Sequence, residues 1–491
     1  MTRREWIRTA AAGGAATLLG TARPQAASAQ GKPNVLFLAI DDLNDWIGVL
    51  GGHPQSLTPN IDRLARRGVT FRRAYCQAPA CNPSRTSVMS GLRPTTSGVY
   101  QNGDIWRDAI PQAVTMPKHF MLHGYEVLGG GKIFHGPMNE ARSWEYYYNP
   151  PGFLRPEGAP VNGLDSGHFD WSGLDAPDEE TADTMLADWA ADYLSEEHRR
   201  PFYLAVGLYR PHLPWYAPEK YFEQFPEAKT LLPEYLENDL GDTPKSARRS
   251  LRDHDNVTSS GQWKKAVAAY LACIHYADAN VGRVLDALDN GPNADNTIIV
   301  LWTDHGWHLG EKSHWRKFTL WEESLRTPLI FAGHGVPTEN RFCDRTVELV
   351  DIYPTLLDLA GVPERPELDG TSLRSLLEDP EAEWTKPAIS SNGADKTSVR
   401  TERWRYSRFP DGEELYDHDN DPQEWENLAG KREHAAVQKK LAAMLPKNVT
   451  RKKVKQWNSL TLEEKRLTQL PPGRHHKSDP DNDTGLEPGP R

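Results

Sequence analysis

At 491 residues, with 38% hydrophobic and 25% charged positions, the chain is long enough for one large α/β domain with an appendage or for two or three domains. Its formal net charge of −11 excludes a general binder of nucleic acid or of anionic membranes and confines any anionic substrate to a local cationic pocket. The four cysteines, Cys76, Cys81, Cys273 and Cys343, are too few for a disulfide scaffold and include no C-x-x-C zinc pattern.

In chain order, the first residues read as a removable leader. Arg3-Arg4, a small apolar run over 9–20 and Ala27-Ser28-Ala29 have the order of a twin-arginine-type signal peptide over residues 1–29. This implies the twin-arginine export machinery as a partner and a periplasmic or extracellular destination. The apolar run falls short of the roughly 20 residues that cross a bilayer, and no other segment suggests a membrane span.

From residue 30, apolar runs alternate with helical patterns. The runs 35–40, 202–208, 297–302 and 328–332 are continuous rather than alternating, as expected of parallel strands covered on both faces. Between the second and third, Val267, Tyr270, Leu271, Ile274, Val281, Leu285 and Leu288 recur at helical steps up to Gly291-Pro292. A further helix is predicted over 347–359. Residues 135–180, rich in Pro, Gly, Asn and aromatics, read as an insertion of loops. After Asp369-Gly370 come short strand-like pieces at 396–401, 404–407 and 414–416, then a helix over 434–445. The pattern predicts an α/β/α sandwich with a mostly parallel central sheet over 30–370 and a small α+β subdomain with a short antiparallel sheet over 371–447. A charged, disordered tail is expected over 448–491.

The strand ends carry the chemistry. The first runs into Asp41-Asp42, the second into Arg210-Pro211-His212 and the third into Asp304-His305-Gly306. Sites in open α/β sheets form beyond the carboxyl ends of the strands. Three carboxylates brought together there require a cation, and oxygen ligands select Ca²⁺ or Mg²⁺ over zinc. Taken alone, an Asp-Asp pair is more often a turn or a helix cap; the coincidence of three strand ends favours a metal. Cys81-Asn82-Pro83-Ser84-Arg85-Thr86 places Cys81 at the start of a helix, facing backbone N–H groups and a positive dipole end. The plain alternative is a small buried cysteine.

The run C-x-P-S-R followed by T-S-x-x-S-G, here Cys81 to Gly91, resembles the signature of the type I sulfatases, in which the cysteine is oxidised to formylglycine. Arg85 matches the arginine that supports that residue. The resemblance extends over about 34–430 and includes 34–42, 58–62 and 349–355. Gly131-Lys132-Ile133-Phe134-His135, Arg210-Pro211-His212, and Asp304-His305-Gly306-Trp307 with Leu309-Gly310-Glu311 and Lys317 are most similar to the iduronate-2-sulfatase group. The resemblance implies an alkaline-phosphatase-like fold and one metal ion, Ca²⁺ in preference to Mg²⁺. Asp41, Asp42, Asp304, His305 and the residue made from Cys81 would bind it. Lys132, His135, His212 and Lys317 would surround the sulfate.

The implied reaction removes a sulfate, most specifically a uronate 2-O-sulfate, from a sulfated oligo- or polysaccharide. One hydroxyl of the hydrated aldehyde attacks sulfur, His212 or Lys317 protonates the leaving alcohol, and His135 takes the proton of the second hydroxyl. A formylglycine-generating enzyme is an implied partner. His308 and His314 stand as substrate contacts, and Trp307 reads as core packing or a sugar-stacking ring. Two other functions share the motifs: a phosphodiesterase or phosphonate monoester hydrolase of the same superfamily, and a catalytically inactive glycan-binding homologue.

Overall fold

The structure, a computed structural model, describes residues 31–465 except Pro137, Asp165, Gly167 and Glu464. The leader over 1–29 and the tail beyond 465 lie outside the described residues.

Nine strands make the main sheet: β1 Asn34–Ile40, β2 Gly68–Tyr75, β3 Glu126–Gly131, β4 Tyr146–Tyr148, β5 Phe202–Leu208, β6 Thr297–Thr303, β7 Arg326–Thr327, β8 Leu329–Gly333 and β9 Arg341–Glu348. Their order is β7-β2-β8-β6-β1-β5-β3-β4, with β9 also paired to β2. β6, β1, β5, β3 and β4 run parallel to their neighbours in this series. Every residue of β1 is buried, and alternate side chains feed two cores. Leu36, Leu38 and Ile40 join one, while Val35, Phe37 and Ala39 join the other. Burial on both faces is why the run is apolar without alternation.

β8 corrects the expectation of a fourth parallel strand, because it is antiparallel to both β6 and β2. An apolar run encodes coverage on both faces and carries no information about direction. The helix expected over 347–359 also starts later. Val347 still belongs to β9, and the helix proper is Ile352–Leu359 after a 3-10 turn at Leu349–Asp351.

Helices cover both faces. α1 Cys81–Ser90 contributes Val88 and Met89 to the core that holds Phe37, whereas α2 Ala182–Leu194 and α3 Trp263–Asn290 pack in the core that holds Leu38. α4 Ile352–Leu359 joins α1 on its face. Truncating a fully buried leucine such as Leu301 costs about 2–5 kcal/mol.

A separate four-stranded antiparallel sheet follows: β10 Ala388–Ser391, β11 Thr397–Arg400, β12 Trp404–Phe409 and β13 Gly412–Asp417. α5 Ala435–Ala442 places Leu441 on Val399, Tyr406 and Leu415.

The tail expected to be disordered from residue 448 does not start there. The N–H of Thr450 donates to Thr95 O, Ile105 N–H to Lys455 O, and Trp457 N–H to Gly103 O. Backbone pairing of this kind leaves no trace in a basic, polar composition. Among the described residues no helix is long and apolar enough to cross a membrane.

Candidate active site

Four neighbouring strands, β6, β1, β5 and β3, deliver their next residues to one place. Asp41-Asp42 leave β1, Lys132 leaves β3, residues 209–212 leave β5, and Asp304-His305 leave β6. β3 ends in three glycines. A Cβ on Gly131 would fall 2.2 Å from Gly207 O, so only glycine permits the approach in which Lys132 N–H donates to Gly207 O at 2.7 Å. Asp42 has φ 59°, in the left-handed region that Asp tolerates better than most residues. The two consecutive carboxylates meet different cations, Asp41 pairing with Arg85 and Lys132, and Asp42 with Lys317.

Cys81 is the first residue of α1, with Ala80 as the N-cap, and Gly91 at φ 73° closes the helix by donating to Ser87 O. One turn on, Arg85 is fully buried. Its Nε donates to Asp304 Oδ2 at 2.9 Å and its Nη2 to Asp41 Oδ1 at 2.9 Å, while Nη1 donates to the carbonyls of Lys132 and Ile133. One planar guanidinium therefore ties α1 to the ends of β1, β3 and β6. A lysine, with a single nitrogen, could not make this set of contacts. Ser84 adds a hydrogen bond to the carbonyl of Asp304.

The sulfur of Cys81 lies 3.0 Å from Lys317 Nζ, 3.4 Å from His305 Nε2 and 3.9 Å from both Lys132 Nζ and Asp42 Oδ1. Burial alone would raise this thiol. Lys132, then Lys317 and His305, overcome it and hold the thiol well below its ordinary range. Burial would likewise raise Asp304, but Arg85 and His305 hold it low. Asp42 goes the other way, because burial outweighs the pull of His212 and Lys317.

Asp42 Oδ2 is buried without a hydrogen-bond partner. Ligand atoms of Asp42, Cys81, Asp304 and His305 all lie within 4.8 Å of one another, and Asp41, Asp42 and His212 form a second such set. A carboxylate with an unused lone pair among two others is a donor set that fits a hard divalent cation. His212 stands at the edge, with its Nε2 3.7 Å from Asp42 Oδ2 and its side chain 31% exposed; it marks the open side of an otherwise buried cluster.

Of the residues singled out in the sequence, Asp41, Asp42, Cys81, Arg85, Lys132, His212, Asp304, His305 and Lys317 come together here. Among the described residues no hydrogen bond or ion pair joins His135 to them, although its Nδ1 is buried with no partner. His308 and His314 are spent on scaffolding. His308 Nε2 pairs with Thr319 Oγ1 at 2.7 Å, and His314 Nε2 accepts from Arg249 N–H at 2.9 Å. Trp307 is buried, with Lys317 Nζ 5.0 Å from its ring centroid, and is the floor beneath that lysine.

Sequence reasoning missed Asp183. It is 2% exposed and accepts the backbone N–H groups of Tyr209 at 2.9 Å and Arg210 at 2.8 Å. Arg210 in turn donates to the carbonyls of Tyr216 at 2.6 Å and His212 at 3.0 Å. An Asp in the first turn of a helix reads as a cap, so nothing in its local sequence pointed to the segment that carries His212.

Fold and site together define an alkaline-phosphatase-like α/β/α hydrolase with a buried cysteine at the head of a helix. The sulfatase family profile matches residues 33–362, and the profile described as N-sulphoglucosamine sulphohydrolase, C-terminal, matches residues 310–451. The chain belongs to the type I sulfatase family. It is 37% identical to a sulfatase of Formosa agariphila over 85% of this chain and 87% of that protein. It is 30% identical to a choline-sulfatase of Rhizobium meliloti, over 81% and 83%, and 29% identical to mouse iduronate 2-sulfatase, over 70% and 71%. The fold is shared with a phosphonate monoester hydrolase from Silicibacter pomeroyi, with a TM-score of 0.70 at 22% identity over 84% of this chain and 94% of that one.

Proposed function

We propose that this sulfatase removes a sulfate ester from a sulfated saccharide, a uronate 2-O-sulfate being the preferred substrate, after Cys81 has been oxidised to formylglycine. The observation that carries the reading is the Cys81 sulfur, buried at a helix start between Lys317 and His305 and opposite Asp42. The resemblance of the segments around Lys132, His212 and Asp304 to those of the iduronate-2-sulfatase group supports the choice of substrate, as does the mouse relative. The Arg3-Arg4 leader supports export of the folded protein.

Asp41, Asp42, Asp304 and His305 would hold Ca²⁺, which supplies positive charge to the sulfate oxygens and to the nucleophile. A hydrated formylglycine at position 81 would supply the attacking hydroxyl and a second hydroxyl whose deprotonation would let sulfate leave. Arg85 fixes Asp41 and Asp304 in place. Lys132 and Lys317 neutralise the charge that spreads over the sulfate oxygens. His212, on the open side, protonates the leaving oxygen from Nε2, because its Nδ1 pairs with Leu213 O at 2.5 Å. His135, with Nδ1 unpartnered, accepts the proton from the second hydroxyl.

The test is a substrate panel with mass spectrometry of the Cys81 peptide. A 2-O-sulfated uronate disaccharide should be desulfated with the highest kcat/KM, ahead of choline sulfate, an aryl sulfate and an aryl phosphonate. Full activity with an intact thiol would sink the mechanism. A preference for the phosphonate would reassign the chain to the phosphonate or phosphodiester hydrolases whose fold it shares.

A further inference from the structure

The cluster around Cys81 is closed on most sides. Asp41, Asp42, Asp304 and His305 have no exposed surface, and Lys132 and Lys317 are nearly buried. The His212 side is open, with that side chain 31% exposed. On that side stands Phe153, contributed by the loop that follows β4, with 39% of its surface exposed.

Single exposed apolar side chains are ordinary, but Phe153 is held in place. Its ring lies edge-on to that of Tyr209, with centroids 4.2 Å apart at 70°, and the Arg210 guanidinium carbon is 5.4 Å from its centroid. Tyr209 and Arg210 are the two residues clamped by Asp183. The ring of Tyr209 is in turn 5.8 Å from Lys132 Nζ, itself beside Cys81. An anchored aromatic ring thus rests against the segment that presents His212, two contacts away from the lysine that faces Cys81.

We propose that Phe153 is the platform on which a pyranose ring of the sulfated substrate rests while its sulfate enters the pocket of Lys132 and Lys317. This rests on the saccharide reading above. A sugar ring has an apolar C–H face that matches an aromatic surface, and the polar groups at its edge remain free to reach water and cations. Phe153 therefore contributes to binding the ring and takes no part in bond breaking.

The experiment compares Phe153→Ala and Phe153→Trp with the unchanged protein on a sulfated disaccharide, using product inhibition by inorganic sulfate as a probe that has no ring. In Phe153→Ala the disaccharide KM should rise about tenfold, with kcat within about twofold. The inhibition constant of sulfate should stay unchanged, and Phe153→Trp should keep KM near its original value. An unmoved KM in Phe153→Ala overturns the inference. So does a parallel rise of KM and the sulfate inhibition constant, since the ring would then be shaping the pocket. If the unchanged protein desulfates no saccharide, the saccharide reading fails and this inference fails with it.

Discussion

The ammonium of Lys317 lies 3.0 Å from the sulfur of Cys81 and 2.6 Å from Oδ1 of Asp42, so one cation serves both the proposed nucleophile position and a metal-ligand candidate. Lys317→Ala is expected to lower kcat by about 10²- to 10³-fold, the usual cost of losing a fixed charge at a developing anion. Cys81→Ala should abolish turnover and leave disaccharide binding measurable by calorimetry. Turnover surviving in Cys81→Ala would remove position 81 from the chemistry.

Chelation should both inactivate and soften the protein. The unpartnered Asp42 Oδ2 and the carboxylates around it would lose the counter-charge a metal adds to that of Arg85, Lys132 and Lys317, and a ligand that binds only the folded state stabilises it by mass action. Dialysis against EDTA is expected to lower Tm and activity together, and Ca²⁺ should restore both better than Mg²⁺. In Asp42→Asn the Ca²⁺-dependent rise in Tm should disappear. A Tm indifferent to both chelator and calcium would count against a metal here.

Asp183 is a positioning residue for His212. An asparagine at 183 can accept only one of the two N–H groups now bound and sets its own N–H₂ against the other, at a cost of about 1–3 kcal/mol. Asp183→Asn is expected to reduce kcat roughly tenfold with a smaller change in KM, read from steady-state kinetics on the disaccharide. An unchanged kcat alongside a lowered Tm would make the clamp structural only.

Glu414 carries a pH dependence that sits apart from the site. It is fully buried on β13, one oxygen accepts from Trp321 Nε1 at 3.1 Å, and the other has no partner. Burial raises its carboxyl to about 8; Lys312 opposes this and Glu424 adds to it. With an unfolded value of about 4.3, the folded state holds a proton that the unfolded state has lost between these two pH values. Stability contributed here is therefore present below about pH 4 and declines as pH rises towards about 8, by a few kcal/mol. Glu414→Gln should flatten that decline. Parallel Tm-against-pH curves for the two proteins would refute the assignment.

Much of the sheet was legible because β1, β5 and β6 are covered on both faces and so spell continuous apolar runs. β2 was not, since the adjacent Arg72 and Arg73 interrupt its apolar run. β3 was hidden by three glycines that disfavour a strand everywhere except where neighbouring backbone must come close. The ligand and cation set was legible where residues sit directly after a strand or in a long motif. Asp183 was not, because its partners are more than 25 positions away and a single carboxylate gives no hint of which distant backbone it will bind. His308 and His314 were misleading for the same reason: nearness in sequence to Asp304 does not decide which way a ring faces.

The burial of Cys81 makes its chemistry a matter of timing. In the finished protein the residue is 1% exposed, closed in by Lys317, which is synthesised 236 residues later. The loop beside it is finished later still, when residues 450–457 arrive across Thr95 to Ile105; Asn82 relies on that loop through Asn102 and Asp104. On the proposed oxidation, a modifying enzyme can reach the cysteine only before these later segments have folded over it. Folding ends that interval, and a chain that folds first keeps a thiol that no later encounter with the enzyme can reach.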